Sequence, residues 1–503
     1  VYPSKPVRSN ADRKSSRCEV DYFSSRASIE GVEHNALNST VDRLWESEIL
    51  ASLSELISVP ALSPAFDADW AARGHLDAAA EHVRRWVASR SLPGASVEIV
   101  RLDDRTPLVV VDIPATPGGV DAGTVVLYGH LDKQPPVGGW ADGLGPWTPV
   151  LRDGRLYGRG AVDDGYSAYA ATAAVEAVRA SGGEHARCVI LLETCEESGS
   201  PDFAAYLEHL KPKLGDVTLV VCLDSGGNDY DRLWITTSLR GLVSVDLTVR
   251  VLDVAAHSGM ASGIVPSSFR IMRTLLDRVE NAATGEILIP EMNVEIPAHR
   301  LAEAQASVAA APGAVGRAYQ RSGTTQPAAA TDLDLVLNNS WRPTLSVIGA
   351  AGLPQPTDAG NVLRTHTTLT LSFRLPPTAN SEAALDSVLK LLTTDVPYGA
   401  TVEIAREEHG GGWNAPEMAP WLSAAVENVS KTVYDAPWGT VGLGGSIPFV
   451  GLLGETYPNA QFLVTGAGGA DSNIHVPNEW LHLGQAARVT TSVGHVLHAH
   501  ATR

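Results

Sequence analysis

Apolar residues recur at helical spacing over 38–58, where Val41, Leu44, Trp45, Ile49, Leu50, Leu53, Leu56 and Ile57 share one side of a helix. A second helix is predicted near 69–90. Short apolar runs follow at 108–111, 125–128, 189–192 and 219–223, with helical patterns at 167–180 and 203–210 between them. Strands alternating with helices predict an α/β domain built on a largely parallel sheet.

From 240 the period changes. Val243, Val245, Leu247, Val249 and Val251 alternate with Ser244, Asp246, Thr248 and Arg250, the mark of an antiparallel strand with one covered face. A helix near 267–280, strands at 344–349 and 367–375, a helix at 381–392 and a strand at 401–405 complete the order β-α-β-β-α-β. That order predicts a ferredoxin-like unit. An Ala-, Pro- and Gln-rich stretch at about 300–332 interrupts it and reads as a helix plus a flexible loop. The α/β style resumes after 410, with a helix at 421–433, a glycine loop at 442–446 and a strand at 461–465. The expected organisation is a polar extension over 1–37, a larger domain in two parts over 38–239 and 408–503, and a smaller domain inserted over 240–407.

Composition narrows the partners. Lys plus Arg number 38 against 57 Asp plus Glu, a formal charge of −19, which disfavours nucleic acid and anionic membrane surfaces. No apolar run reaches the roughly 18 residues of a membrane helix. Residues 1–35 lack the apolar core of a secretory signal and read as a disordered or loosely docked extension. Four cysteines occur, Cys18, Cys188, Cys195 and Cys222, with no C-x-x-C pair. Three of them lie in or beside predicted buried strands, so free thiols and a reducing, cytoplasmic compartment are expected.

The candidate chemistry stands where predicted strands end. Residues 125–128 lead to His130 and Asp132, 189–192 to Glu196 and Glu197, and 219–223 to Asp224. In open α/β sheets, sites form beyond the carboxyl ends of the strands. Asp163 sits on a glycine-rich loop, Gly158-Arg159-Gly160, and His475 follows another, Gly466–Gly469. Each residue alone is an ordinary cap, turn or surface group. Together they supply five ligands and two further carboxylates, about what two divalent metals sharing one carboxylate need. Mixed imidazole and carboxylate donors suit zinc or manganese, with cobalt also compatible.

These residues, in YGHLD, GRGAVDD, ETCEESGS and CLDSGG, together with AHSG, WRPTLSV and GGSIPF, resemble the M20 metallopeptidases. The carnosinase-like and cytosolic non-specific dipeptidase branch is the most similar, over about residues 40–500. The resemblance implies an inserted lid that also mediates dimerisation. It implies that Asp163 bridges two metals, that His130 and Asp224 complete one site, and that Glu197 and His475 complete the other. Glu196 is then the general base and Asp132 orients His130. His257 would act in trans on the partner's site, and Arg374 would clamp the substrate carboxylate. Asn361, Gly444, Gly445 and Ser446 would contact the substrate.

Two positions depart from the branch. Leu443 stands where a Glu usually grips a free amino group, and Asp163-Asp164-Gly165-Tyr166 replaces the usual Asp-Asp-Lys-Gly. The leading expectation is a di-metal hydrolase of dipeptides or similar small amides. Leu443 favours, as the alternative, an aminoacylase acting on N-acyl amino acids. A non-catalytic relative is disfavoured because every ligand and Glu196 are present.

Overall fold

The computed structural model describes residues 32–319, 321–469 and 471–503. The greater part of the polar extension expected over 1–37, and Cys18 with it, lies outside the described residues.

A six-stranded mixed sheet runs Ser96–Val100, Leu108–Ile113, Arg187–Glu193, Thr124–His130, Val217–Cys222, Gln461–Val464 across its width. The first three strands pair antiparallel; the last four are mutually parallel. Alternate residues along each strand enter different cores. Val109, Val111, Val125, Leu127, Ile190, Leu192, Leu219 and Val221 pack beneath the helices Leu50–Ile57, His75–Ala88, Tyr166–Ala180 and Leu483–Ala501. Leu108, Val110, Val126, Tyr128, Val189, Leu191, Val220 and Cys222 pack beneath Phe203–Leu214 and Pro448–Thr456. Burial on both faces is why these strands read as unbroken apolar runs. Cys188, Cys195 and Cys222 are buried free thiols.

The first helix opens at Val32, ahead of the expected 38. The expected helix near 69–90 is two, Trp70–Arg73 and His75–Ala88, broken where Gly74 takes φ +69.

Between the fifth and sixth strands lies a separate four-stranded antiparallel sheet, in the order Thr344–Ala351, His366–Leu375, Gly241–Arg250, Thr401–Gly410. Val243, Val245, Leu247, Leu371 and Phe373 face the helices Ser268–Leu276 and Ser381–Thr393 in a third core. Its outer strand, Thr344–Ala351, leaves Val347 and Ile348 exposed at a bulge. The stretch at 300–332 holds the expected helix, Ala298–Ala310, then the short helix Ala314–Arg317 and irregular chain up to the helix Asp332–Ser340. Helices Ala298–Ala310 and Asp332–Ser340 pack on the strand Gly439–Leu443, which belongs to a small sheet with Trp234–Leu239.

Candidate metal centre

Three parallel strands deliver their candidate ligands to one edge. Thr124–His130 ends on His130, Arg187–Glu193 runs into the short turn Glu196–Ser198, and Val217–Cys222 runs into Asp224. Asp163 comes from an irregular turn at the head of helix Tyr166–Ala180, with a cis bond between Asp163 and Asp164. His475 arrives on the loop between strands Gln461–Val464 and Trp480–His482, at φ +64.

Two candidate ligand groups result, and they share Asp163. His130, Asp163 and Asp224 form one; Asp163, Glu197 and His475 form the other, with the donor atoms of each group within 4.8 Å of one another. Asp163 Oδ1 lies 3.1 Å from His130 Nε2, and Oδ2 lies 2.8 Å from His475 Nε2. Asp224 Oδ2 stands 3.9 Å from His130 Nε2, and Glu197 Oε2 3.3 Å from His475 Nε2.

The electrostatics match a cation-binding set. Burial opposes protonation of His475, yet the Asp163 and Glu197 carboxylates outweigh it and push the imidazole up to about 11. Burial, reinforced by the charges of Asp163 and Glu197, raises Asp224 to about 7. Burial and the charges of Asp224 and Glu197 lift Glu196 well above the carboxylate range, although His130 pulls the other way. Crowded carboxylates and imidazoles thus hold protons where divalent cations would neutralise the same charge. The donors, their spacing and the shared carboxylate fit such cations.

Asp132 does more than the sequence implied. Its carboxylate accepts the backbone N–H of Glu196 at 3.1 Å and of Glu197 at 3.0 Å. The nearer acceptor to His130 Nδ1 is its carbonyl, at 3.1 Å, with the carboxylate at 3.5 Å. Asp132 therefore sets both the imidazole and the turn bearing the two glutamates.

Four supporting residues escaped the sequence reading. Gln134 donates to Glu197 Oε2 at 2.6 Å. Asp164 Oδ2 accepts the backbone N–H of His130 at 3.2 Å. That contact needs Gly129, because a Cβ there would stand 1.9 Å from Ser167 Oγ. Arg159 and Glu479, at 1% and 0% side-chain exposure, form a 2.7 Å ion pair. Glu479 also accepts the backbone N–H of Gly160 and Val162, and Arg159 donates to Val476 O. The pair thereby ties the Asp163 turn to the His475 loop. Replacing Glu479 by Ala should destabilise the protein by about 3–5 kcal/mol, because it leaves the Arg159 charge buried and unpaired. Urea denaturation measures it, and a loss under about 1 kcal/mol would show the pair to be dispensable.

The departure at Gly165-Tyr166 has a steric basis. A Cβ at Gly165 would meet Gly160 O at 2.6 Å, so a lysine does not fit this turn. Tyr166 is fully buried; its hydroxyl donates to Leu223 O, beside Asp224, and accepts from Ala467 N on the way to His475.

The other predicted residues form two further groups. Arg374 Nη1 reaches Ser446 Oγ at 3.3 Å, beside Gly444 and Gly445. Leu443 packs against the core containing Tyr128 and Phe449. His257 and Asn361 are exposed at one end of the small sheet Ala256–His257 with Val362–Leu363, where His257 pairs with Val362 and Ser258 N donates to Asn361 O at 2.9 Å. Among the described residues neither bonds to the ligand groups.

A sheet edge carrying paired carboxylate–imidazole groups places the chain among metal-dependent hydrolases of α/β architecture. The family model described as Peptidase family M20/M25/M40 matches residues 126–499, and the chain belongs to that family. It is 27% identical over 421 residues to the cysteinylglycine-S-conjugate dipeptidase of Corynebacterium striatum, covering 79% of this chain and 85% of that one. It is 24% identical to the human beta-Ala-His dipeptidase over 387 residues, 74% of this chain and 73% of the relative. The solved structure of the di-peptidase Dug1p from Saccharomyces cerevisiae superposes with a TM-score of 0.75 at 21% identity, covering 94% of this chain and all of that one. Among the described residues no helix is long and apolar enough to cross a membrane.

Proposed function

We propose that this chain hydrolyses the amide bond of dipeptides, with two divalent cations, zinc or manganese, held by His130, Asp163, Asp224, Glu197 and His475. The observation that carries this is the pair of ligand groups sharing Asp163, with Glu196 beside them. When bound, such cations polarise a carbonyl and make a water more acidic. Glu196 takes the proton from the attacking water as the C–O bond forms, then returns it to the amide nitrogen as the C–N bond breaks. Asp132 holds the Glu196 turn and the His130 ring in place. Arg374 grips the substrate carboxylate, and Gly444, Gly445 and Ser446 hold the substrate's backbone.

Residues 240–407 serve as an inserted ferredoxin-like lid. The strand order of the four-stranded sheet and its two helices on one face support this. The lid also mediates a homodimer in which His257 acts on the partner's substrate carbonyl and Asn361 contacts the same substrate. Exposed Val254, Met260, Ile264, Val347 and Ile348 support an interface on this unit. The buried free thiols suit a cytoplasmic setting.

The relatives' names favour dipeptides over N-acyl amino acids, the reading Leu443 had encouraged. The test is a panel of Cys-Gly, β-alanyl dipeptides and N-acetyl amino acids, run with manganese or zinc and with a chelator. Dipeptides should be hydrolysed and the chelator should abolish turnover. Cleavage of N-acetyl amino acids alone would overturn the reading. Light scattering on the same preparation should give twice the chain mass.

A further inference from the structure

Three arginines are fully buried in the described residues, and one of them has no acid. Arg159 pairs with Glu479 and Arg300 with Glu303, both within 2.8 Å. Arg240, at 6% exposure, has no carboxylate within 4 Å. It bonds only to neutral groups: Nε to Gly444 O at 3.1 Å, Nη1 to Asn338 O at 3.2 Å and to Thr344 Oγ1 at 3.1 Å. Among the described residues its Nη2 has no hydrogen-bond partner, and it is not sealed from solvent. A buried charge normally keeps a counter-charge.

Another cation stands beside the same turn. Ser446 Oγ accepts from Arg374 Nη1 at 3.3 Å and donates to Arg240 O at 2.6 Å, so one hydroxyl joins the two residues. Arg374 likewise has no acid partner among the described residues. Burial, and then the charge of Arg374, lowers Arg240 to about 10. Two guanidinium groups thus flank the turn Gly444-Gly445-Ser446, and among the described residues no carboxylate pairs with either. A peptide's terminal carboxylate neutralises one of them and leaves the other uncompensated.

The geometry points to a subsite for two negative charges, in which Arg240 and Arg374 together select dipeptides ending in Asp or Glu. Arg240 also positions the turn, since its side chain holds Gly444 O and its backbone N–H holds Gly445 O. The inference rests on the dipeptidase reading for its substrate, but not for its ligand chemistry.

Binding and turnover separate the two. On metal-free protein, calorimetric titration with glutarate should show at least about tenfold tighter binding than with butyrate, the order expected of one added charge-assisted hydrogen bond. On metal-loaded enzyme, Ala-Asp and Ala-Glu should exceed Ala-Asn and Ala-Gln in kcat/KM by a similar factor, mostly through KM. In Arg240→Met both ratios should fall below about threefold, while Arg240→Lys should restore part of each. If Arg240→Met does not fold, the wild-type ratios and the lysine variant still decide. A wild-type protein that does not prefer the dianion in titration overturns the subsite. Dianion preference without any dipeptide hydrolysis overturns the dipeptidase reading and leaves the subsite standing.

Discussion

Glu196→Gln will bind divalent cations as the wild type does and lose turnover by roughly 10²–10⁴-fold, the range attributed to a positioned general base. The substitution keeps the side chain's size and removes its ability to accept a proton. Glu196 belongs to neither ligand group, so metal content should hold. The Asp132 carboxylate still anchors the turn through the backbone N–H of residues 196 and 197, so the glutamine stays where the glutamate was. Burial and neighbouring acids raise the Glu196 carboxyl, and bound cations would offset that charge and leave it ionised, ready to accept a proton. Metal analysis with steady-state kinetics checks both halves. Turnover within about threefold of wild type would remove Glu196 from the chemistry.

Asp163→Ala should have the opposite signature, losing metal and turnover together. Both ligand groups use this carboxylate, one oxygen each. Removing an outer partner of a metal ligand already costs roughly 10–100-fold in affinity. Loss of a ligand common to two sites should therefore weaken divalent binding by at least about a hundredfold. Wild-type protein should melt at higher temperature when manganese or zinc is added, because a cation that binds only the folded form stabilises it. In Asp163→Ala that shift should vanish at the same metal concentration. A retained thermal shift would mean the two groups do not depend on a shared carboxylate.

How much of this was legible in the sequence depended on how burial is distributed. The parallel strands announced themselves because both faces are covered, and their ends located His130, Glu196, Glu197 and Asp224. The strand Ser96–Val100 was missed because it lies at the sheet edge, half exposed. Helix Leu483–Ala501 was missed because it buries Thr490, Thr491, Ser492, His495 and His500 along with its apolar residues, which blurs the helical period. Helix Asp332–Ser340 is only nine residues long and is held by a strand about a hundred positions away. The link from Arg159 to Glu479 spans 320 residues, and no local spacing signals it. The glycine motif at 442–446 was legible, but Arg240 beside it was not. An arginine after a strand looks solvated until its surroundings are known.

The interleaved topology also dictates when the protein can become an enzyme. The sixth strand, Gln461–Val464, pairs with Val217–Cys222 across the whole four-stranded unit, and His475 and Glu479 follow it. A chain emerging from the ribosome can form five strands and the second sheet while the edge of Val217–Cys222 stays open. That edge is a template for pairing with another chain. Residues 461–475 close it and deliver the second imidazole in the same step. Catalytic competence and protection from aggregation are thus acquired together, once residues 461–479 have been made.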